Sequence, residues 1–375
     1  MESSMIEIKG FVNAKEFRSA LEKVLKAAPK KSRLAFLLEA HVSFDGKTCT
    51  LTCTDLERWC QAVVPAQGGQ CSFILKDSRK LLTAFKYFSG DMEFSYQEDE
   101  PPKTFPSKTD LDGSLTLRCG NRELHQRVIA DGIFPELPKL EPEHTYTVDP
   151  ESLSKRFERI KYAVSSDNSR PCNCCVKFFD NRIGAVDGYR LALNRDKSLF
   201  VAEPFYIPAT AMKLLPIFEG KACQLSVDKR HAIFENSSVR LLTAIPKDEG
   251  LNFDSAIPTD YTEEHTVGIA DFADNLRYLN EFILYPTKEA VRFDNGLLSV
   301  KTVRGEFSAM LDLSDAPKTV CGFNGGYMLD SLKQFQAKKL YSVTMQTGSS
   351  PYAPIILTDQ DDLAMILPMR LKNAA

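Results

Sequence analysis

The residues of this chain that could do chemistry are few and stand apart. Its five histidines (His41, His125, His144, His231 and His265) are widely separated, and they read as surface or turn residues, two of them in linkers. Asp55 and Glu57 are close enough to suggest an acid–base pair. On strand alternation, however, both would face one side, with no basic or nucleophilic companion. Cys172, Cys174 and Cys175 form a tight group, but zinc sites usually combine two CxxC-type pairs and no second pair is present, so they read as buried thiols. Cys49, Cys53, Cys60, Cys71, Cys119 and Cys223 are scattered singly through strand-like stretches, where a reducing cytosol keeps thiols free. There is no Walker loop, no GxGxxG after a strand, no HExxH and no nucleophile elbow. The expectation is a protein that is not an enzyme, with no catalytic residues, no cofactor and no metal.

What remains is binding, and binding residues need elements to position them. At 375 residues the chain is longer than one core usually supports, so two or three domains are expected. With 43% hydrophobic and 26% charged residues the composition is that of a soluble globular protein. No apolar run approaches the ~20 residues of a membrane span. The start, MESSMIEIKG, lacks the basic and apolar regions of a secretion signal, so a cytoplasmic protein is expected.

Three internal repeats set the organisation. The first is a strand–turn–strand from His41, Val176 and Val291, whose leading strands end in Phe44-Asp45, Phe179-Asp180 and Phe293-Asp294. The Gly and Asn residues that follow supply the positive φ that two-residue hairpins require. Before each hairpin a short strand runs into an amphipathic helix (IEIKGFVNAKEFRSAL, YTVDPESLSKRFERI, TVGIADFADNLRYL), and a second helix follows it, from Lys76, Ala209 and Tyr327. Pro216 should shorten or kink the middle one. Further hairpins turn near Gly120-Asn121, Asn236-Ser237 and Gln360-Asp361. Two Pro-bearing polar segments, from Phe134 and Phe253, read as linkers. The pattern is six copies of one αβ unit, paired into three domains: 1–140, 141–260 and 261–375.

Charge follows the helices. Over 15–33, 76–88, 151–164, 209–221, 270–284 and 327–339 the net charges are +5, +3, +2, +1, −2 and +2, a total of +11 in a chain of net −3. An acidic protein has therefore gathered positive charge on one class of element. A basic wall of this kind attracts phosphates without reading bases. Lys30, Lys31, Arg33, Arg79, Lys80, Lys155 and Arg159 are the expected contributors to sequence-independent binding of duplex DNA.

Thr54-Asp55-Leu56-Glu57, Ala163 to Asp167 with Arg170, Val186 to Ala192, Gly322-Phe323-Asn324 with Tyr327, and Leu367-Pro368-Met369-Arg370-Leu371 occur in an order and spacing that resembles the β subunit of bacterial DNA polymerase III, the DNA sliding clamp. The resemblance implies an α+β fold of three similar clamp-type domains, each with two helices packed on antiparallel sheets, forming half of a closed ring. It implies a head-to-tail homodimer around DNA, and partners (DNA polymerase, clamp loader and repair proteins) that insert short apolar peptides into a cleft. Transferred residue by residue, the cleft comprises Arg170, Val186, Gly188, Tyr189, Arg190, Leu191, Asn324, Tyr327, Leu367, Pro368, Met369, Arg370 and Leu371. Apolar and aromatic side chains there would desolvate the peptide's anchors while Arg and Asn fix its backbone.

Leu124 on one side, and Ile283 with Leu284 on the other, are the implied subunit interface. Departures from the family pattern are Val186, Tyr189 and Asn173 in the cleft, the tail Lys372 to Ala375, Leu251 to Asp254 before the second linker, and an interface acidic cluster reduced to Glu306. The rival reading is a monomeric clamp-like peptide-binding adaptor that has lost ring closure.

Overall fold

The computed structural model describes residues 7–98, 112–130, 134–195, 197–247, 250–283, 289–313 and 319–371. Leu284 and the tail from Lys372 lie outside them. The chain forms two compact units, one of Met1–Glu151 with Lys213–Ile245, the other of Ser152–Met212 with Pro246–Ala375. No helix among the described residues is long and apolar enough to cross a membrane.

The architecture is helices packed on antiparallel sheets, as the repeats imply. The leading hairpins are His41–Asp45/Thr48–Thr54, Cys175–Asp180/Arg182–Val186 and Val291–Asp294/Leu297–Thr302. Their turns place Gly46, Asp180, Asn295 and Gly296 at positive φ. The trailing hairpins turn at the three expected places.

Helix α1 (Ala14–Val24) starts where the Asn13 side chain accepts hydrogen bonds from the Lys15 and Glu16 amides. It stops at Val24, well short of the expected 33. Its last carbonyls are taken up in tight turns, and Pro29 cannot continue an α-helical ladder. Lys30, Lys31 and Arg33 therefore lie beyond the helix, on an exposed bend. Helices α2 (Ser78–Ala84) and α3 (Pro150–Ile160) fall where expected. Helix α4 (Ala209–Met212) is cut to one turn ahead of Pro216. A short α5 (Phe253–Ala256) appears inside the segment expected to be linker. The spacing Ile269, Phe272, Ala273, Leu276, Leu279 gives α6 (Ile269–Asn280) one buried face, and Met328, Leu332 and Phe335 do the same for α7 (Gly325–Gln336). Burying each such Leu or Phe stabilises by about 1.5–3 kcal/mol.

Each unit contains one long sheet built by the same joint. In the first, strand Arg58–Gly68 pairs with strand Val239–Ala244, in register from Ala62↔Val239 to Arg58↔Thr243. In the second, strand Arg190–Arg195 pairs with strand Asp362–Ile366, from Arg190↔Ile366 to Asn194↔Asp362. The C-terminal strand Asp362–Ile366 does not lie at a sheet edge. It is internal, held on its other side by Ile355–Thr358. The linkers cover these joints: Leu137 and Leu140 pack over Trp59, Ile233 and Leu242, and Ile257 and Tyr261 over Phe179, Leu191, Phe253 and Met365. They are parts of the core's outer layer, not free tethers.

Candidate peptide-binding cleft

All the expected cleft residues but Arg170 are brought together within the second unit. The turn Val186 to Arg190 is tied by Asp187. Its Oδ1 accepts from the Tyr189 and Arg190 amides (3.0 and 3.1 Å), its Oδ2 accepts from Arg190 Nε (3.0 Å), and Gly188 adopts a φ of +91°. Asn324 Oδ1 accepts from the Tyr327 amide at 3.0 Å, so this residue starts α7 and sets Tyr327 on its first turn. After strand Asp362–Ile366, Leu367 N donates to Tyr189 O (2.9 Å) and Met369 N to Gly322 O (2.7 Å). These bonds lay Leu367 to Leu371 beside both the turn and the strand preceding α7. Tyr189 and Leu367 are exposed, the Tyr189 and Tyr327 rings lie 6.1 Å apart, and Leu191 is buried. The result is an aromatic and apolar wall beside hydrogen-bonded backbone. Arg170 is exposed, on the N-terminal side of a short 3-10 turn whose Asn173 amide donates to its carbonyl.

Arg190 does not extend into this wall. Its side chain is 11% exposed, with the guanidinium bonded to Asp187 and, through Nη1, to Asp330 Oδ2 at 2.8 Å. It lies 4.3 Å from the Tyr327 ring and 5.2 Å from the Tyr162 ring. Burial alone would lower its pKa, but the bonds to Asp330 and Asp187 raise it. Burial likewise pushes the Asp330 carboxyl up, and Lys333 and Arg190 more than reverse this, leaving it below the usual carboxylate range. Tyr162, held above its ordinary pKa by burial, donates to Gln334 Oε1 at 2.9 Å. Asp330, Tyr162 and Gln334 were not singled out from the sequence. The i,i+3 spacing of Asp187 to Arg190, repeated at Asp55 to Arg58, was a readable signal; the link from Arg190 to Asp330 spans 140 positions.

The Asp55–Glu57 pair is corrected. These residues form a turn rather than a strand, and Asp55 does have a basic companion in Arg58, which binds it through both the backbone amide (2.8 Å) and Nε (3.0 Å). The histidines need correction too. His265 is buried, and both His144 and His265 lie within strands rather than linkers. The ten cysteines are free thiols, all buried except the half-buried Cys71 and Cys174.

Among the expected DNA-facing residues, Lys30, Lys31, Arg33, Arg79, Lys80 and Lys155 are exposed. Lys80 pairs with Asp77 at 3.0 Å. Arg79 donates to the carbonyls of Leu25, Ala28 and Pro29, closing the end of α1. Arg159 is drawn inward, bonded to Asn194 and 3.4 Å from the buried Asp362. Leu124 is half-buried on strand Arg122–Ala130, and Ile283 packs partly against the second unit's core.

Repeated two-helix units on antiparallel sheets, joined strand to strand, define a clamp-type fold. No family model matches the chain. It is 22% identical over 386 residues to the Beta sliding clamp of Chlamydia muridarum, covering 98% of this chain and all of that one. It is 17% identical over 377 residues to the Beta sliding clamp of Streptococcus pneumoniae serotype 4. Among solved structures it is similar to a DNA polymerase III beta subunit from Eubacterium rectale (TM-score 0.82, 15% identity, 97% of this chain and all of that one). It is also similar to the DNA polymerase sliding clamp of Bacillus subtilis (TM-score 0.81, 16% identity, 98% of this chain and all of that one). The chain is thus a divergent relative of the DNA polymerase III beta subunits.

Proposed function

We propose that the protein is a DNA sliding clamp, a replication processivity factor without catalysis of its own, in which two chains close head to tail around duplex DNA. One observation carries the ring. In both long sheets the third strand of a leading hairpin group pairs with the last strand of the following repeat's trailing hairpin. The third such group ends in strand Gly305–Met310, which pairs only with Leu297–Thr302 among the described residues. The first trailing hairpin ends in strand Arg122–Ala130, whose residues Arg122 to Arg127 pair only with Asp112–Cys119 among the described residues. Each chain therefore offers one edge of each kind, and unpaired edges are templates for strand addition. A second copy satisfies both by the joint already used twice, heterologously and with closure. In this reading Leu124, Ile283 and Leu284 are interface residues, 1–140, 141–260 and 261–375 are the three domains, and the protein is cytoplasmic.

Exposed Lys30, Lys31, Arg33, Lys80 and Lys155 supply a phosphate-attracting surface. Arg79, exposed but bonded to the carbonyls that end α1, adds to that surface, and Arg159, turned toward the buried Asp362, contributes charge rather than direct contact. The cleft around Tyr189, Tyr327 and Leu367 to Leu371 receives apolar peptides of polymerase, loader and repair partners. Light scattering at tens of micromolar tests the assembly. Twice the chain mass is expected, falling to one on Ile283→Asp, since a buried unpaired charge costs several kcal/mol. A wild type of single-chain mass would overturn the ring, and with peptide binding retained it would select the monomeric adaptor.

A further inference from the structure

Arg190 looks from the sequence like a residue that grips a partner's backbone, yet its surroundings leave it little to give. Asp187 holds Nε and Asp330 holds Nη1, two tyrosine rings flank the guanidinium, and only 11% of the side chain is exposed. Asp330 itself is shared with Lys333 at 2.8 Å. The four charges Asp187, Arg190, Asp330 and Lys333 cancel. What stands exposed beside them is aromatic and apolar: Tyr189, with its ring 6.1 Å from Tyr327, and Leu367, whose amide is bonded to Tyr189 O.

We propose that Asp330 is a positioning residue of the peptide cleft, acting through Arg190 to fix the Tyr327 and Tyr189 rings at the spacing a partner's apolar anchor requires, with Arg190 making no contact to the peptide. The proposal rests on the cleft reading above. The mechanism is geometric. A guanidinium is planar and presents a fork of donors, so two carboxylates on different elements set both its place and its plane. Asp187 belongs to the turn and Asp330 to α7 one turn beyond Tyr327, so Arg190 locks the turn carrying Tyr189 to the helix carrying Tyr327. The ring stacked on the guanidinium is held by the same contact. Without Asp330, Arg190 keeps its bonds to its own turn but loses its bond to α7, and the two rings are no longer held in relation. A wall set in advance binds better than one that must be ordered by its ligand.

The test uses the full chain and a fluorescein-labelled peptide bearing Leu and Phe, read by anisotropy, with melting followed in parallel. Asp330→Asn is expected to weaken binding about tenfold with little change in melting. Arg190→Lys, which keeps the charge but loses the fork, should weaken it comparably. In a Tyr327→Ala background Asp330→Asn should cost nothing further, because coupled residues are non-additive. Asp330→Glu should restore part of the affinity, and a merely structural role would not give that pattern. Undiminished binding by Asp330→Asn, or full additivity with Tyr327→Ala, would overturn the proposal while leaving the cleft intact. Absence of binding by the unmodified chain would overturn the cleft reading itself and the proposal with it.

Discussion

The turns Asp55 to Arg58 and Asp187 to Arg190 are two copies of one device put to different ends. In each, an Asp accepts two backbone amides and binds an Arg three residues on. In each, the third residue's carbonyl accepts from the strand that joins the sheet, Ala244 N to Glu57 O at 2.8 Å and Leu367 N to Tyr189 O at 2.9 Å. The difference lies in what surrounds the Arg. Arg58 has Asp55 alone as its ionic partner among the described residues. Arg190 has a second carboxylate from α7 and two aromatic rings. A turn that in its first copy only closes a hairpin is, in its second, the frame of the aromatic wall proposed to bind peptides.

The largest expected effect tests whether that wall is the site. Truncation from Met369 removes the Met369–Gly322 bond and the residues after it, while strand Asp362–Ile366 stays between two partners. Peptide binding should be lost and the assembly should survive; anisotropy and light scattering read the two. Next come the arginines. Arg190→Ala leaves Asp187 without its cation and Asp330 with Lys333 alone, and should cost about 3 kcal/mol, against about 1.5 kcal/mol for Arg58→Ala, measured by urea denaturation. Equal losses would mean the second copy gains nothing from its extra partners.

Acid gives a smaller contrast. The Asp330 carboxyl is held below its ordinary value near 3.8, so its contribution is present above that pH and lost as pH falls through the lower folded value. Peptide affinity should therefore fall below about pH 4 in the wild type, less so in Asp330→Asn, with anisotropy across a pH series as the readout. The smallest effect concerns the shared positive-φ position, filled by Leu56 (φ +75°) in one turn and Gly188 in the other. Leu56→Gly should be neutral to stabilising by about 1 kcal/mol, and Gly188→Ala destabilising by a similar amount. Thermal melts showing the opposite signs would contradict the equivalence of the two turns.

Much of this frame is legible in the sequence because its signals are local. Asp-Gly, Asp-Asn and Asn-Gly mark hairpins through φ alone, and the spacing in α6 and α7 marks a buried face. The end of α1 misleads because Lys30, Lys31 and Arg33 suit a helix by propensity while Pro29 forbids its ladder. The internal position of Asp362–Ile366 and the Arg190–Asp330 pair were beyond reach because their partners are remote in sequence. Arg159 shows the cost of reading charge without burial: a cation in a basic helix segment turns inward to a buried carboxylate. Leu137, Leu140, Ile257 and Tyr261 look like linker residues by composition but pack, half-buried, against the core.

The central claim is a ring that holds DNA by enclosure. With the host's own clamp loader, the protein can be loaded onto nicked circular plasmid, and its retention followed by gel filtration before and after a single restriction cut. Retention on the circle with release on linearisation, at a salt concentration that abolishes direct binding to linear DNA, is the predicted result. Equal retention on circular and linearised plasmid would contradict enclosure, leaving surface binding as the only hold.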